Sequence, residues 1–494
     1  METLATTMQG RVRGRTTDGV TTFLGIPYAA PPVGELRFMA PQPHAAWDDV
    51  RDASVPGPTP PQVVRPFPNL NMTPFIGDGW HPGDDYLTLN VWTPDVAARG
   101  LPVMVFIHGG AWVVGSKDCS IHDGTAFARS GVVCIAINYR MGVEGFVAIP
   151  GGASNIGLRD MIAALQWIKA NAAAFGGDGG NVTVFGESAG AMSVANLIAS
   201  PLAQGLFGKA IIQSGHGSMV KPVKVAARVV TAMAKLLKIT PDLKGFRSTT
   251  PQACVDAIEQ IAKPTAKIDL RDGNGLEPSF GLSRFLPLYG DEVLPVHPLK
   301  ALAAGQGRDI QLLIGTNAEE MNIYFVPTGV RKKLPGWLAW MALGKVIRRA
   351  GAILKAYKKP GHKAGDTFTE ALHDLVFRYP ARQFAAAHQG RTHLYEFTWT
   401  SPLFDGQMGA CHALELPFVF NTLAAATGSD GMAGMAPPQD LADRVHRIWV
   451  DFARDGALPW PPYDPVAPRT YDFQTGLEQP DPPMAAARFL PVQG

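Results

Sequence analysis

Within residues 181–200 the chain passes from an uninterrupted apolar strand, NVTVF, through Gly186-Glu187-Ser188-Ala189-Gly190 into a helical run, AMSVANLIAS. A strand that turns at once into a helix, with a serine at the apex and glycines on either side, is compatible with few folds. Strand and helix approach closely there, which residues without side chains allow. The turn strains the serine backbone and lifts its hydroxyl clear of the sheet. The helix N-terminus adds positive partial charge beside that hydroxyl. Ser188 is therefore a candidate nucleophile.

Similar apolar runs recur along the chain. LPVMVFIHGG (101–110), GVVCIAINYR (131–140), GKAIIQSG (208–215), DIQLLIGTN (309–317) and THLYEFTW (392–399) read as buried strands, with THLYEFTW the last of the main sheet. DMIAALQWIKANAAAF (160–175) has helical spacing. Continuous apolar strands separated by helices predict an α/β fold with a mostly parallel central sheet covered on both faces. The first hundred residues read as short strands and turns, and the six prolines of 54–69 predict an extended surface loop. With 494 residues, 46% of them hydrophobic, no internal repeat and no clean linker, the chain reads as one large domain over 1–494.

One segment stands apart. Residues 321–365 carry ten Lys or Arg (Arg331, Lys332, Lys333, Lys345, Arg348, Arg349, Lys355, Lys358, Lys359 and Lys363) and no Asp or Glu. The segment reads as a helical cap of one or two amphipathic helices at the pocket mouth. Trp337, Trp340 and Met341 are expected to face inward as an apolar pocket wall, with the cations in water. Such a cap is a solvated face or a basic surface for anionic lipid or an acidic substrate.

The whole-chain charge of +2 excludes a global field directed at nucleic acid or an anionic membrane. Four scattered cysteines without a C-x-x-C pair exclude a disulfide scaffold and make a zinc or redox site unexpected. The N-terminus has no apolar core of a signal peptide, and the longest uncharged apolar stretch, 101–116, is short for a membrane span. These features predict a soluble, cytoplasmic protein.

A serine hydroxyl needs a base to take its proton, and the base needs an acid to orient it. In strand–elbow–helix hydrolases the acid and then the histidine follow the serine in the chain. His362, His373, His388, His393, His412 and His446 are available. His362 lies in the basic segment, His373, His388 and His446 in helical patterns, and His393 inside a strand. Only His412 occupies a glycine-containing loop, DGQMGACHALELPF, after a strand. For the acid, DIQLLIG runs into Thr316-Asn317-Ala318-Glu319-Glu320, and spacing leaves Glu319 and Glu320 both open. An oxyanion hole needs backbone N–H groups converging on one point. Ala189 supplies one, and Gly109 and Gly110 of the His108-Gly109-Gly110-Ala111 loop supply others.

Taken together, FLGIPYAAPPVGELRF (23–38), DDYLTLNVWTP (84–94), FIHGGAW (106–112), NYRMG (138–142), NIGLRD (155–160), FGGDGGNVTVFGESAGA (175–191), QSG (213–215), GTNAEE (315–320), GACHALELPFVF (409–420) and WPPYD (460–464) resemble the type-B carboxylesterases, the family of bacterial para-nitrobenzyl esterases and cholinesterases. The resemblance implies an α/β-hydrolase fold and a serine carboxylesterase with Ser188 as nucleophile, Glu320 as acid and His412 as base. Gly109, Gly110 and Ala189 become the oxyanion hole, and Trp112 joins Trp337, Trp340 and Met341 as pocket candidates. It implies a small-molecule ester substrate and no metal or organic cofactor. Departures are Tyr86 where the family usually has a cysteine, so that its N-terminal disulfide is absent, Met161 after Asp160, the inverted Gly290-Asp291, and Met321 after the acid. They bear on pocket shape rather than on the triad. The same machinery on amides or carbamates is the alternative function. A non-catalytic binding protein on this fold is disfavoured because all three triad residues are present.

Overall fold

The computed structural model describes residues 1–263 and 266–490. Its frame is one 13-stranded sheet. β1 (Glu2–Thr6), β2 (Arg11–Thr17), β3 (Val20–Pro27), β4 (Arg51–Asp52) and β5 (Thr88–Thr93) build one end. β6 (Leu101–Ile107), β7 (Val133–Ile137), β8 (Gly177–Glu187) and β9 (Lys209–Gln213) build the middle. β10 (Lys221–Pro222) and β11 (Leu288–Tyr289) form a separate parallel pair. β12 (Gln311–Asn317), β13 (Thr392–Phe397), β14 (Arg469–Asp472) and β15 (Leu477–Pro480) complete the main sheet. Its order is β1-β2-β3-β5-β7-β6-β8-β9-β12-β13-β14-β15, with β4 on β2.

Every neighbouring pair from β7 to β14 is parallel. The path turns antiparallel between β5 and β7 and between β14 and β15. The sheet thus continues past THLYEFTW. LEQP escapes the apolar pattern because β15 is a largely exposed edge strand, and RTYD because four residues with Arg, Thr and Asp among them make no apolar run although three are buried.

The central strands are apolar at every position because both faces are covered. In β6, Val103, Val105 and Ile107 join one core with Leu165 and Ile168 of the helix Ile156–Asn171 and Val194 and Ile198 of the helix Ala189–Ala199. Met104 and Phe106 join the other, with Val445, Trp449 and Phe452 of the helix Gln439–Asp455. The period-two alternation of the strand thereby feeds two cores rather than one core and solvent.

A buried ion pair locks the parallel half to the N-terminal half. Asp160 accepts from Arg140 Nε at 2.8 Å, Nη2 at 2.6 Å and the Arg140 backbone N–H at 3.0 Å, while Nη1 donates to the Met39 carbonyl at 2.8 Å. Neither side chain reaches solvent. Removing one member leaves a buried charge uncompensated, so Asp160→Ala is expected to lower stability by about 3–5 kcal/mol. A urea midpoint equal to the parent's would show that the pair contributes nothing net.

The basic segment departs from the expected one or two amphipathic helices. It forms four short ones, Asn322–Phe325, Val330–Lys333, Gly336–Gly344 and Ala350–Tyr357. The proline-rich stretch is also not all surface. Gln62 is buried, donating to the Gly115 carbonyl at 3.0 Å and accepting from the Gly115 N–H at 2.8 Å.

Candidate active site

β6, β8, β12 and β13 all end at the same edge of the parallel sheet, and the loops that follow them carry the candidate residues. At the end of β8, Ser188 has φ 55° and ψ −124°, a conformation that an L-residue holds only where its surroundings enforce it. The enforcement is visible: the Ser188 N–H donates to the Gln213 carbonyl at 3.0 Å and the helix Ala189–Ala199 begins at once. A Cβ on Gly190 would run into the Ile107 carbonyl of β6, so the close approach requires glycine there. Among the described residues the Ser188 hydroxyl has no hydrogen-bond partner, and the position is partly open to solvent.

The loop after β6 lies against this turn. A Cβ on Gly109 would stand 3.1 Å from the Ser188 Cβ. No described group accepts a hydrogen bond from the backbone N–H of Gly109, Gly110 or Ala189, which leaves three donors free beside the hydroxyl. Gly110, Ala111 and Trp112 have φ of 98°, 55° and 60°, so the loop is held in a left-handed run. Trp112 helps to hold it. It is buried and its indole Nε1 donates to Ser193 Oγ at 3.0 Å, while that hydroxyl donates to the Ala189 carbonyl at 2.8 Å. Trp112, a pocket candidate from the sequence, is thus a tie between the glycine loop and the serine helix and does not line the large cavity described below.

The structure distinguishes the two glutamates after β12. Glu320 Oε2 lies 2.6 Å from His412 Nδ1, and its Oε1 accepts from the Asn317 N–H at 2.8 Å. Glu319 points the other way: Oε2 accepts from the Ala410 N–H at 3.1 Å and Oε1 from Asn322 at 3.3 Å, which braces the histidine loop. His373, His388, His393 and His446 are buried structural rings. His373 Nδ1 accepts from the Met321 N–H and His446 Nδ1 meets the Val419 carbonyl.

Two further carboxylates complete the site, and the motif reading passed over both. Glu187, the variable position of the G-x-S-x-G turn, places Oε1 3.1 Å from His412 Nε2. Glu415, three residues beyond His412, accepts from Gln213 at 3.1 Å and Asn317 at 2.6 Å. A glutamate inside an otherwise apolar strand–turn–helix was the signal for Glu187; Glu415 carried none beyond its spacing. Burial pushes the Glu187 carboxyl up to about 8, against the His412 charge and with the charges of Glu415 and Glu320 adding to the rise. For His412, burial alone lowers the pKa. The charges of Glu187 and Glu320, the Glu320 hydrogen bond and the charge of Glu415 outweigh it and hold the ring up to about 9.

Beside this cluster lies a cavity of about 900 Å³ whose walls include Met321, Tyr324, Phe325, Leu334, Leu338 and Met341. Met321 follows Glu320 in the chain, and the Tyr324 ring centroid is 6.1 Å from that of His412. Of the aromatic pocket candidates in the basic segment, none faces inward. Trp337 and Trp340 are 65% and 56% exposed, because Ala339 and Leu343 take the inner side of their helix. Met341 does line the cavity while remaining 41% exposed. Among the described residues no three His, Cys, Asp or Glu side chains could hold a metal ion.

A parallel sheet with a serine elbow, and a histidine and a carboxylate delivered to the same edge, defines the α/β-hydrolases. Within that class the chain belongs to the carboxylesterase family, whose model matches residues 1–478. It is 35% identical to the para-nitrobenzyl esterase of Bacillus subtilis (strain 168), over 93% of this chain and 92% of that one. It is 34% identical to the phenmedipham hydrolase of Pseudarthrobacter oxydans, over 92% and 90%. A solved para-nitrobenzyl esterase superposes with a TM-score of 0.82 at 32% identity, covering 99% of this chain and all of the other. A carboxylesterase of Geobacillus stearothermophilus gives 0.80 at 32% identity over 97% and 98%. The protein is a carboxylic ester hydrolase.

Proposed function

We propose that Ser188, His412 and Glu320 are the nucleophile, base and acid of this esterase, and that Gly109, Gly110 and Ala189 form its oxyanion hole. Ser188 Oγ adds to the ester carbonyl as His412 Nε2 takes its proton. Glu320 fixes the tautomer through Nδ1 and stabilises the imidazolium. The three free N–H groups receive the developing oxyanion. The imidazolium then protonates the departing alcohol. With the acyl group on Ser188, neutral His412 activates water and the acid leaves. The observation that carries this reading is the position of His412: one nitrogen on Glu320, the other reaching the residue that precedes Ser188. The largely apolar cavity supports esters with bulky or aromatic groups as substrates, and Leu334, Leu338 and Met341 of the segment 321–365 are among its walls. Four buried, unpaired cysteines fit a reducing, cytoplasmic setting. The test is to label with a fluorophosphonate, locate the adduct by peptide mass, and compare kcat/KM on esters and amides matched in size. An adduct on Ser188 and a preference for esters are expected; an adduct elsewhere overturns the assignment.

Glu187 sets an expected pH dependence. The base works only as neutral imidazole, and the negative charge of Glu187 raises its pKa. Removing that charge lowers the His412 pKa, so the active form persists to lower pH. The acid limb of kcat/KM is therefore expected to move to lower pH in Glu187→Gln. A limb that stays in place or moves up would show that Glu187 does not set the charge on His412.

A further inference from the structure

The helix Gly336–Gly344, GWLAWMALG, has no polar face at all. Ala339 and Leu343 point inward, while Trp337, Leu338, Trp340 and Met341 are 65%, 38%, 56% and 41% exposed. No other stretch of five described residues exposes more than two large apolar side chains, and of the chain's ten tryptophans only these two are exposed. Scattered apolar residues on a surface are ordinary; four of them on one turn and a half of helix, two of them indoles, are not.

Within residues 321–365 the charge has one sign, although Asp269 and Glu277 line the cavity. Lys332 and Lys333 precede the helix, and Lys345, Arg348 and Lys355 follow it, all exposed and none within 4.0 Å of a described carboxylate. The two acids immediately beyond the segment are already engaged, Asp366 with Arg331 and Glu370 with Lys359. In a chain of net charge +2 this is a local concentration of positive charge rather than a general one.

We infer that the helix Gly336–Gly344 is a docking element for an anionic lipid surface. Indole rings favour the boundary between headgroups and hydrocarbon, where an apolar body and an N–H are both satisfied. A surface helix with an apolar outer face and flanking Lys and Arg lies in that boundary, drawn there by buried apolar area and by anionic headgroups. The same helix contributes Leu338 and Met341 to the wall of the large cavity. A membrane seated on Trp337 and Trp340 therefore meets the cavity at its lip, and an apolar ester dissolved in the lipid passes inward without crossing open water. The substrates reached this way are membrane-partitioned esters.

The test is flotation of the full chain with vesicles of phosphatidylcholine mixed with phosphatidylglycerol, against vesicles of phosphatidylcholine alone, at low and at high ionic strength. Binding to the mixed vesicles is expected, weaker by about tenfold or more on neutral vesicles or at high salt. A loss of about tenfold or more is expected in Trp337→Ser/Trp340→Ser and in Lys332→Glu/Lys333→Glu. The lysine variant should keep its turnover of a short, water-soluble ester and its thermal midpoint, which separates docking from catalysis and from folding. Absence of flotation with the mixed vesicles overturns the proposal. So does equal binding to neutral vesicles, or a self-association abolished by Trp337→Ser/Trp340→Ser without vesicle binding, which would make a second copy the occupant.

Discussion

Replacing Ser188 by alanine is expected to reduce kcat by about 10⁴-fold or more and to abolish fluorophosphonate labelling, with the fold intact. The hydroxyl makes no hydrogen bond to a described residue, so its loss leaves no partner stranded. The backbone strain at φ 55° is imposed by the Gln213 carbonyl, by the packing of Gly190 on β6 and by the helix start, none of which involves Oγ. The residual rate comes from the free N–H groups of Gly109, Gly110 and Ala189 and from substrate binding. Turnover close to that of the parent in purified Ser188→Ala would overturn the mechanism, and an unchanged thermal midpoint rules out unfolding as the cause of a loss.

The second large effect separates neighbours. Glu320→Gln is expected to lower kcat by about 10³–10⁴-fold, since an amide facing Nδ1 favours the wrong tautomer and offers no charge to the imidazolium. Glu319→Gln keeps an acceptor for the Ala410 N–H and changes only the brace on the histidine loop, so a loss within about tenfold is expected. Steady-state kinetics on one chromogenic ester decide between them. A greater loss in Glu319→Gln would assign the acid to the wrong residue.

The parallel half of the sheet was legible where a strand buried on both faces also carries an apolar run; β5, buried but carrying Thr and Asn, was not singled out. β6, β7, β8, β9, β12 and β13 announce themselves as apolar runs, because both of their alternating sets of side chains enter a core. β14 and β15 carry no such run: both are only four residues long, β14 holds Arg, Thr and Asp, and β15 is the exposed edge. The elbow and the glycine loop were legible from local backbone demands that few residue types meet. Which of Glu319 and Glu320 faces His412 depends on how the turn after β12 is wound, which spacing does not encode. Glu415 was illegible for a related reason: a buried carboxylate is explained only by what surrounds it, and the groups that hold Glu415 come from Gln213 and Asn317, distant in the chain. The inward placement of Trp337 and Trp340 failed because aromaticity was read as burial. Ala339 and Leu343 take the inner side of that helix.

The chain order of the proposed catalytic groups has a consequence for synthesis. His412 reaches Glu320 across 92 residues of chain and follows Ser188 by roughly 220. At ordinary ribosomal rates about 10–45 s separate the emergence of the serine from that of the imidazole. Through that interval the nascent polypeptide carries the proposed nucleophile without the proposed base to activate it. On the proposed assignment reactivity arrives as a single late event, so a product stalled before His412 carries an inert hydroxyl.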